Sequence, residues 1–192
     1  MEISELSRED WQGHLLPFHY TTDEYYDVDI SRSGKDFHVS FVKKPLSTPY
    51  KKLPDDSESL FQPWWDDIKA WGVVSDGKLL AAIETSIESW NKRLRVNELW
   101  VDKSLRRQGL ARTLMNKAME RALLEKCRMI VLETQSCNVP AIDFYLNYGF
   151  TLVGFDAGAY QNDDLERKEV RMEFGIFLDE VKLWTKTKCK IL

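Results

Sequence analysis

A basic, glycine-containing segment of the chain carries residue types that bind phosphate groups. Its sequence is Val101-Asp102-Lys103-Ser104-Leu105-Arg106-Arg107-Gln108-Gly109-Leu110-Ala111-Arg112. The surrounding pattern predicts a strand before this turn and a helix after it, so the free N–H groups at the helix start would attract an anion. Gly109 and Ala111 leave the backbone open to a phosphate. Arg106, Arg107 and Arg112 add charge-assisted donors, and the segment therefore predicts a phosphate cradle.

A basic turn before a helix also fits other kinds of site or none. A lone basic turn can simply cap a solvated surface helix. The lysine-bearing P-loop and the dinucleotide fingerprint are excluded, because neither GxxxxGK[ST] nor GxGxxG occurs here. What remains is R-x-x-G-x-A, which runs from Arg106 to Ala111 after a strand that ends at Val101.

A second motif follows the next predicted strand. It spans Asn138 to Phe150 and reads N-x-x-A-x-x-F-Y-x-x-x-G-F. Ala141, Phe144 and Tyr145 are three and four residues apart, so they share one face of a helix. Alone, such a face indicates core packing more often than a cofactor wall, and Asn138 also suits a helix N-cap. The motif becomes strong evidence because it lies at the right distance from the R-x-x-G-x-A motif.

Together, the two motifs resemble motifs A and B of the GNAT superfamily of N-acetyltransferases. The resemblance covers residues 70–178 and leaves out the N-terminal third and the tail 179–192. It implies acetyl-CoA as the cofactor, with no metal, and a single N-acetyltransferase domain over residues 1–192. By match to the two motifs, the cofactor-binding residues would be Leu99, Trp100, Val101, Arg106, Arg107, Gln108, Gly109, Leu110, Ala111, Arg112, Asn138, Ala141, Phe144 and Tyr145.

The resemblance also implies roles in acetyl transfer. A lysine-like amine has a pKa of ~10.4 and must lose a proton before it can attack. Glu98 is the candidate base and Glu84 and Glu133 are its rivals, although each could instead be a charged strand residue that faces solvent. By match, a backbone N–H near Leu99 would stabilise the oxyanion. Tyr145 matches the family's general acid, with an aromatic core residue as the alternative.

The local sequence resembles the streptothricin acetyltransferases within that superfamily. Those enzymes acetylate the β-lysine amino group of a cationic antibiotic. Two stretches depart from the pattern of those enzymes. Residues 172–177 lack the tryptophan of their aromatic-rich strand near the C-terminus, and residues 95–98 lack the paired acidic residues that those enzymes carry on the same strand. The stretches that carry the resemblance are Trp90-Asn91, Val101, Leu132 to Asn138, Gly154-Phe155-Asp156 and Tyr160.

The predicted acceptor is a small, cationic, amine-bearing molecule. Acidic side chains concentrate cations, and aromatic rings can contact them. An acetyltransferase of protein N-termini or polyamines would share every cofactor residue, and a non-catalytic acyl-CoA sensor would share the cradle. The predicted acceptor-binding residues are Glu84, Glu88, Trp90, Asp156 and Tyr160, with the loop Asn162-Asp163-Asp164 beside them.

The order of the predicted strands and helices indicates an α/β (α+β) domain with a central sheet. The resemblance to the GNAT superfamily implies that this sheet is mixed, mostly antiparallel and flanked by helices. The N-terminal third is expected to be irregular apart from a strand over Asp36–Val42, because Pro45, Pro49 and Pro54 break regular structure and residues 55–58 are acidic loop. The tail is expected to be a short surface element. Strands are predicted over 70–74, 79–87, 93–101, 129–134, 150–155 and 170–178, with a tight turn over 75–78 that makes the first two a hairpin. Helices are predicted from after Gly109 to about 126 and over 140–148, the second ending at Gly149.

Two residue patterns within these elements carry further expectations. Strict alternation in the strand 93–101 would place Val96, Glu98 and Trp100 on one face. In the long helix, apolar residues recur every four positions, and Met115, Met119 and Leu123 are expected to widen the buried stripe. Both patterns predict elements that bury one face against a core.

Composition excludes several other classes of protein. The 27 basic and 31 acidic residues give a net charge of −4, without the basic surplus typical of nucleic-acid binders. No apolar run approaches the ~20 residues that span a bilayer, and the acidic start lacks the features of a signal peptide. We therefore expect a cytoplasmic protein without nucleic-acid or membrane partners. An exposed edge strand could support a homodimer.

The cysteines and histidines predict no metal site. The three cysteines form no CxxC pair and are expected to be free thiols in a reducing compartment. The three histidines lack metal-ligand spacing. These residues are Cys127, Cys137 and Cys189, and His14, His19 and His38.

Overall fold

The computed structural model describes residues 2–54 and 58–178, which fold as two compact units. The first unit comprises residues 2–18, 58–132 and 176–178, and the second comprises residues 19–54 and 133–175. The elements in chain order are β1 (Ser4–Leu6), α1 (Arg8–Trp11), β2 (Tyr20–Ser33), β3 (Asp36–Lys52), β4 (Lys69–Ser75), β5 (Lys78–Glu88), β6 (Arg93–Val101), α2 (Leu110–Leu124), β7 (Met129–Gln135), α3 (Val139–Tyr148), β8 (Thr151–Asp156), α4 (Asp164–Arg167) and β9 (Arg171–Phe177).

A seven-stranded mixed sheet confirms the expected fold class. In the first unit its strands follow the order β1-β4-β5-β6-β7. Neighbouring strands are antiparallel except β6 and β7, which are parallel and are joined by a crossover through α2. Helix α2 packs on β5 and β6. In this strand-helix-strand unit, the turn 102–109 connects the end of β6 to the start of α2.

The turn between β4 and β5 was predicted correctly. Ser75 pairs with Lys78, and the two residues between them, Asp76 and Gly77, have φ angles of 49° and 72°. Two consecutive positive φ angles match the right-handed twist of a hairpin, which is why an Asp-Gly pair is such a strong signal.

The strand β6 departs from the expected strict alternation. Glu84 pairs with Glu98 and Thr85 pairs with Val96, so Asn97 is an extra residue on β6. Such a β-bulge bends the strand and turns side chains beyond it to the other face. The Asn97 side chain accepts a hydrogen bond from the Ser86 hydroxyl at 2.8 Å and donates one to Glu84 at 3.3 Å.

Helix α2 begins at Leu110, as predicted, and its buried face matches the expected stripe in part. Leu114, Met115 and Ala118 are fully buried and Met119 is half-buried, whereas Leu123 is 42% exposed and does not widen the stripe. Arg121 also lies on the buried face.

One buried cluster of the first unit includes residues of β4, β5 and β6. It comprises Leu6, Leu16, Leu60, Phe61, Ala70, Leu79, Ala82 and Trp100.

In the second unit, the expected irregular region is a long β-hairpin. The strands β2 and β3 have 14 and 17 residues, and β3 continues through Pro45 and Pro49. Glu24 pairs with Pro45 and Thr22 with Tyr50, so β3 bulges between these pairs. The prediction that these prolines break regular structure was wrong, because a two-stranded ribbon consists of edge strands, where bulges and missing donors are tolerated.

The rest of the second unit agrees closely with the prediction. The strands β8 and β9 pair antiparallel, and α3 begins one residue before the expected Pro140. Gly149, with φ at 121°, ends α3 where a helix C-terminus was predicted. Residues 55–57 of the expected acidic loop and the tail 179–192 lie outside the described residues.

Two of the three cysteines fall within the described chain. Cys127 and Cys137 are buried free thiols, as predicted, and Cys189 lies outside the described part. Among residues 2–54 and 58–178, no cluster of His, Cys, Asp and Glu could hold a metal ion. In the same residues, every helix is too short or too polar to cross a bilayer.

Glu88, at the end of β5, is held by two arginines. Its Oε1 accepts a hydrogen bond from Arg95 at 2.6 Å, and its Oε2 accepts from Arg93 at 2.7 Å and from Asn91 at 3.0 Å. Burial alone would raise the pKa of Glu88, but these hydrogen bonds lower it below its usual value. Arg95 is 6% exposed and needs this compensation.

We expect Glu88→Gln to lower the free energy of unfolding by about 2 kcal/mol at pH 7, because the buried Arg95 then loses the negative charge of Glu88. A lowered pKa in the folded state gives stability that is present above the unfolded pKa, about 4.3, and is lost as pH falls below it. Urea unfolding at pH 7 and pH 3 should therefore show the difference shrinking in acid. Glu120→Gln, in the exposed Lys117–Glu120 pair, is the control and should change little at either pH. Equal stability of Glu88→Gln and wild type at pH 7 would contradict the role of the pair.

Candidate active site

The turn between β6 and α2 is shaped by its own side chains. Asp102 accepts a hydrogen bond from the N–H of Ser104 at 2.9 Å, and Gln108 donates to the Ser104 carbonyl at 3.2 Å. Arg106 donates from Nε to the carbonyl of Val101 at 3.0 Å. Arg106 thus serves partly to hold the strand end, a use beyond the predicted donation to a phosphate.

The start of α2 has no side-chain cap at its N-terminus. Gly109 has a φ of 82° and provides no side-chain cap, and a side chain added there would meet open space. Thr113 is the first residue whose N–H joins the helical ladder, through a bond of 3.1 Å to the Gly109 carbonyl. The preceding N–H groups and the exposed Arg107 and Arg112 make a donor set that fits a diphosphate.

Next to the bulge, the carboxylates of Glu84 and Glu98 lie on paired positions of β5 and β6. Glu84 is fully buried and accepts hydrogen bonds from the Phe61 N–H at 2.5 Å and from Asn97 at 3.3 Å. Burial raises the pKa of Glu84, and these two bonds and the charge of Arg8 only partly offset it. Glu98 is half-buried. Of these two residues, only Glu98 has a surface that an acceptor could touch.

Leu99 and Trp100 follow Glu98 on β6. Leu99 is half-buried, whereas Trp100 is 5% exposed and donates from its indole N–H to the Pro17 carbonyl at 3.4 Å. The Trp100 side chain therefore belongs to the core, and only its backbone is available to a ligand. The two remaining predicted residues of this unit are Glu88 and Trp90. Trp90 is 86% exposed, whereas two arginines already compensate the charge of Glu88.

In the second unit, Tyr145 lies in an aromatic cluster on α3. It is half-buried, and its ring lies 5.8 Å from that of Phe150 and 6.3 Å from that of Phe174. Phe144 contacts it edge to face. Asn138 accepts from the N–H of Ala141 at 3.4 Å, so it acts as the N-cap of α3, which was the structural alternative for this residue.

Tyr160 and Glu133 are brought together in the same unit. The Tyr160 hydroxyl donates to Glu133 at 2.8 Å, and Arg171 forms an ion pair with the same oxygen at 3.1 Å. Burial and the neighbouring Glu133 carboxylate raise the pKa of Tyr160. Glu133, a rival for the base, is therefore engaged by two partners.

The acidic residues near Tyr160 differ in exposure. Asp156 is exposed and accepts from the N–H of Gly158 at 3.0 Å. Asp164 is fully buried and accepts from the N–H groups of Tyr160 and Gln161, both at 2.9 Å. The expectation that Asp164 faces an acceptor is wrong, because its carboxylate instead shapes the loop that carries Tyr160.

Two polar residues beside the bulge, Asn97 and Arg121, were not among the predicted site residues. Asn97 could not be singled out, because a bulge leaves no local pattern. Arg121 had a recognisable signal, since a charged residue occupies a position of the apolar stripe three residues after Ala118. It hydrogen-bonds both Thr85 and Asp67.

Comparisons with known proteins agree with the two motifs. The acetyltransferase (GNAT) family model matches residues 38–150. The chain is 30% identical to a streptothricin acetyltransferase of Escherichia coli over 156 residues, which cover 80% of this chain and 83% of that protein. It is 29% identical to an N-alpha-acetyltransferase 30 of Dictyostelium discoideum over 117 residues, 60% of this chain and 61% of that protein.

Solved structures show the same fold. The crystal structure of nourseothricin acetyltransferase superimposes with a TM-score of 0.72 at 26% identity, over 92% of this chain and 97% of that one. A Bacillus anthracis protein solved in complex with acetyl coenzyme A gives a TM-score of 0.69 at 22% identity, over 92% and 98%. Because the family model alone matches more than half of the chain, the chain belongs to the GNAT family, whose members are acetyl-CoA-dependent N-acetyltransferases.

Proposed function

We propose that this acetyltransferase transfers the acetyl group of acetyl-CoA to a primary amine of a small cationic acceptor, with streptothricin as the first candidate. The observation that carries the proposal lies in the first unit. Glu98 lies on β6, three residues before the strand ends at Val101. The turn 102–109 then leads to the proposed phosphate cradle at the start of α2. One strand-turn-helix unit thus offers both a carboxylate for a cationic amine and donors for a diphosphate. The streptothricin acetyltransferases among its relatives support the choice of acceptor.

The cofactor would be held mainly by backbone groups of the cradle. Acetyl-CoA, when bound, supplies the acetyl thioester. The N–H groups of Leu110, Ala111 and Arg112 would donate to its pyrophosphate, with the positive end of the helix dipole behind them. Arg107 and Arg112 would add charge from the exposed side.

Glu98 is the proposed base. It removes the proton that an ammonium group carries at neutral pH, directly or through one water molecule, so that the amine nitrogen can bond to the acyl carbon. Of its rivals, Glu84 is less suitable because it has no exposed surface, and Glu133 lies in the second unit, on the strand after α2. The amine would attack directly, in a complex that holds both substrates.

Two further groups complete the proposed chemistry. The backbone N–H near Leu99 would donate to the carbonyl oxygen as negative charge develops there. The Tyr145 hydroxyl would donate its proton to the sulfur when the carbon–sulfur bond breaks. The roles of Leu99, Tyr145 and Asn138 rest on the match to the family motifs.

A protein N-terminus is the second candidate acceptor. It is favoured by the match to an N-alpha-acetyltransferase, although that match covers a smaller part of the chain than the match to the streptothricin acetyltransferase. The two candidates differ in the size and charge of the acceptor, so a panel of amines can separate them.

We expect Gly109→Glu to lower the affinity for acetyl-CoA by more than tenfold, because a carboxylate would stand where the pyrophosphate binds. Gly77→Glu is the matched control: both glycines have φ between 70° and 85°, and both have open space around an added side chain. The strain of a positive φ is then common to both variants, about 1 kcal/mol. Calorimetric titration with acetyl-CoA should show the loss only for Gly109→Glu. Equal affinity in both variants would refute the cradle.

We expect Tyr145→Phe to lower kcat by on the order of 10²-fold with little change in the KM for acetyl-CoA, because the ring stays and the proton donor is lost. Tyr148→Phe is the control, since Tyr148 is half-buried on the same helix and contacts the same Phe150 ring. Steady-state release of free thiol measures both. Near-normal turnover of Tyr145→Phe would mean that water supplies the proton.

A panel of amines tests the acceptor. It contains streptothricin, spermidine, an aminoglycoside and short peptides with free N-termini, all at the same salt concentration. We expect streptothricin to have the highest kcat/KM, and its KM to rise with salt because screening weakens the attraction of the acidic site. Acetylation of the peptides alone would replace the antibiotic with a protein N-terminus. Binding of acetyl-CoA without any transfer would indicate an acyl-CoA sensor.

A further inference from the structure

Glu84 is used to hold backbone rather than to touch an acceptor. It is fully buried, one oxygen accepts from the Phe61 N–H at 2.5 Å, and the other accepts from Asn97 at 3.3 Å. A carboxylate without exposed surface is costly unless such bonds compensate it. These bonds fix the start of the segment that leads into β4.

Arg121 of α2 fixes the other end of this segment. Its side chain is 3% exposed and donates from Nη2 to the carbonyl and carboxylate oxygens of Asp67, at 2.7 and 2.8 Å. From Nη1 it donates to the carbonyl and hydroxyl oxygens of Thr85, both at 2.9 Å. Its buried Nε has no hydrogen-bond partner in the described part of the chain, which costs stability. The hydrogen bonds of Arg121 therefore hold Asp67 in position next to Thr85.

We call residues 60–67 the anchored segment. Its two anchors meet β5 at neighbouring residues, Glu84 and Thr85, at the point where the bulge shifts the pairing with β6. Phe61 and Asp67 have φ angles of 59° and 47°, a region that non-glycine residues occupy only when their surroundings enforce it. The segment is therefore rigidly held and not a solvated coil.

The anchored segment carries an exposed tryptophan, and its buried end packs against the strand that carries Glu98. Leu60 and Phe61 pack in the buried cluster with Trp100 of β6, and Glu84 pairs with Glu98 across the bulge. Between the anchors, Trp64 is 65% exposed. A large ring in water at a fixed position is suited to contact a cation, and Asp66 beside it is exposed as well.

We propose that Glu84 and Arg121 are positioning residues which hold the anchored segment so that Trp64 binds the cationic acceptor. This inference rests on the proposed function, the acetylation of a cationic amine. Trp64 touches the acceptor, whereas Glu84 and Arg121 act through the backbone of the segment and touch neither substrate.

The first test removes the ring. We expect Trp64→Ala to raise the KM for the preferred amine of the panel about three- to tenfold, with kcat and the KM for acetyl-CoA nearly unchanged, because a cation–π contact of ordinary strength is lost. The side chain is exposed, so the variant should fold. An unchanged KM for the amine would overturn the inference and leave the proposed function standing.

The second test loosens the anchors and has a readout besides activity. Arg121→Lys keeps the charge but cannot reach Thr85 and Asp67 with two pairs of bonds. We expect amide hydrogen exchange in a peptide covering residues 60–67 to rise at least tenfold and the KM for the amine to rise with it. Lys117→Ala, on the exposed side of the same helix, is the control and should change neither. Faster exchange without a change in this KM would overturn the inference.

Glu84→Gln separates a positioning role from a catalytic one. The amide oxygen can still accept from the Phe61 N–H, and a rotated Asn97 amide can pair with the new NH₂ group. We therefore expect nearly wild-type kcat, KM and exchange for Glu84→Gln, but faster exchange and a higher KM for Glu84→Ala. A 10²-fold loss of kcat in Glu84→Gln would make Glu84 the base and overturn the inference. A wild-type enzyme that acetylates no amine would overturn the proposed function first and this inference with it.

Discussion

The β-bulge at Asn97 is the constraint on which the polar centre of the first unit depends. One extra residue on β6 shifts its pairing with β5 and lets Ser86, Asn97 and Glu84 form a continuous buried chain of hydrogen bonds. Burying a carboxylate in this way is tolerable only when its oxygens are satisfied, and Phe61 supplies the remaining donor. The bulge therefore decides where the backbone before β4 runs. It also sets the point after which Glu98, Leu99 and the phosphate cradle follow.

The start of α2 shows a compromise between stability and binding. A Ser, Thr or Asp at the N-cap would stabilise the helix by ~1 kcal/mol, yet the chain has Gly109 in a left-handed conformation. A side-chain cap would occupy the N–H groups that a diphosphate needs. The helix is stabilised instead by its buried face and by Arg121, whose bonds reach Thr85 and Asp67. Tertiary contacts thus allow the N-terminus to stay available to a ligand.

Local signals explain which parts of the fold and site could be predicted from the sequence. Asp76-Gly77, Gly109 and Gly149 each require a positive φ, and each marked the end of an element correctly. The long hairpin β2–β3 was missed because both faces of a two-stranded ribbon can be polar, so alternation is weak and its prolines resemble breakers. Contacts such as Arg121–Thr85 join residues 36 positions apart and leave no periodic trace. The strand-turn-helix arrangement around Gly109 is local and could be predicted, whereas the hydrogen bonds around Glu84 could not.

The number of acidic residues in a sequence overestimates the negative charge that an acceptor meets in the folded protein. The sequence predicted that Glu84, Glu88 and Asp164 would face an acceptor. In the structure each carboxylate is buried or paired, and it accepts hydrogen bonds from backbone N–H groups or from arginines. A paired carboxylate contributes little to the attraction of a cation, because its field is largely cancelled nearby. Discrimination among amines must then come from few groups whose positions are fixed, since shape and an aromatic ring distinguish cations that charge alone cannot. If Trp64 binds the acceptor as proposed, the fixed position of its segment would matter more to acceptor choice than the net charge of the chain.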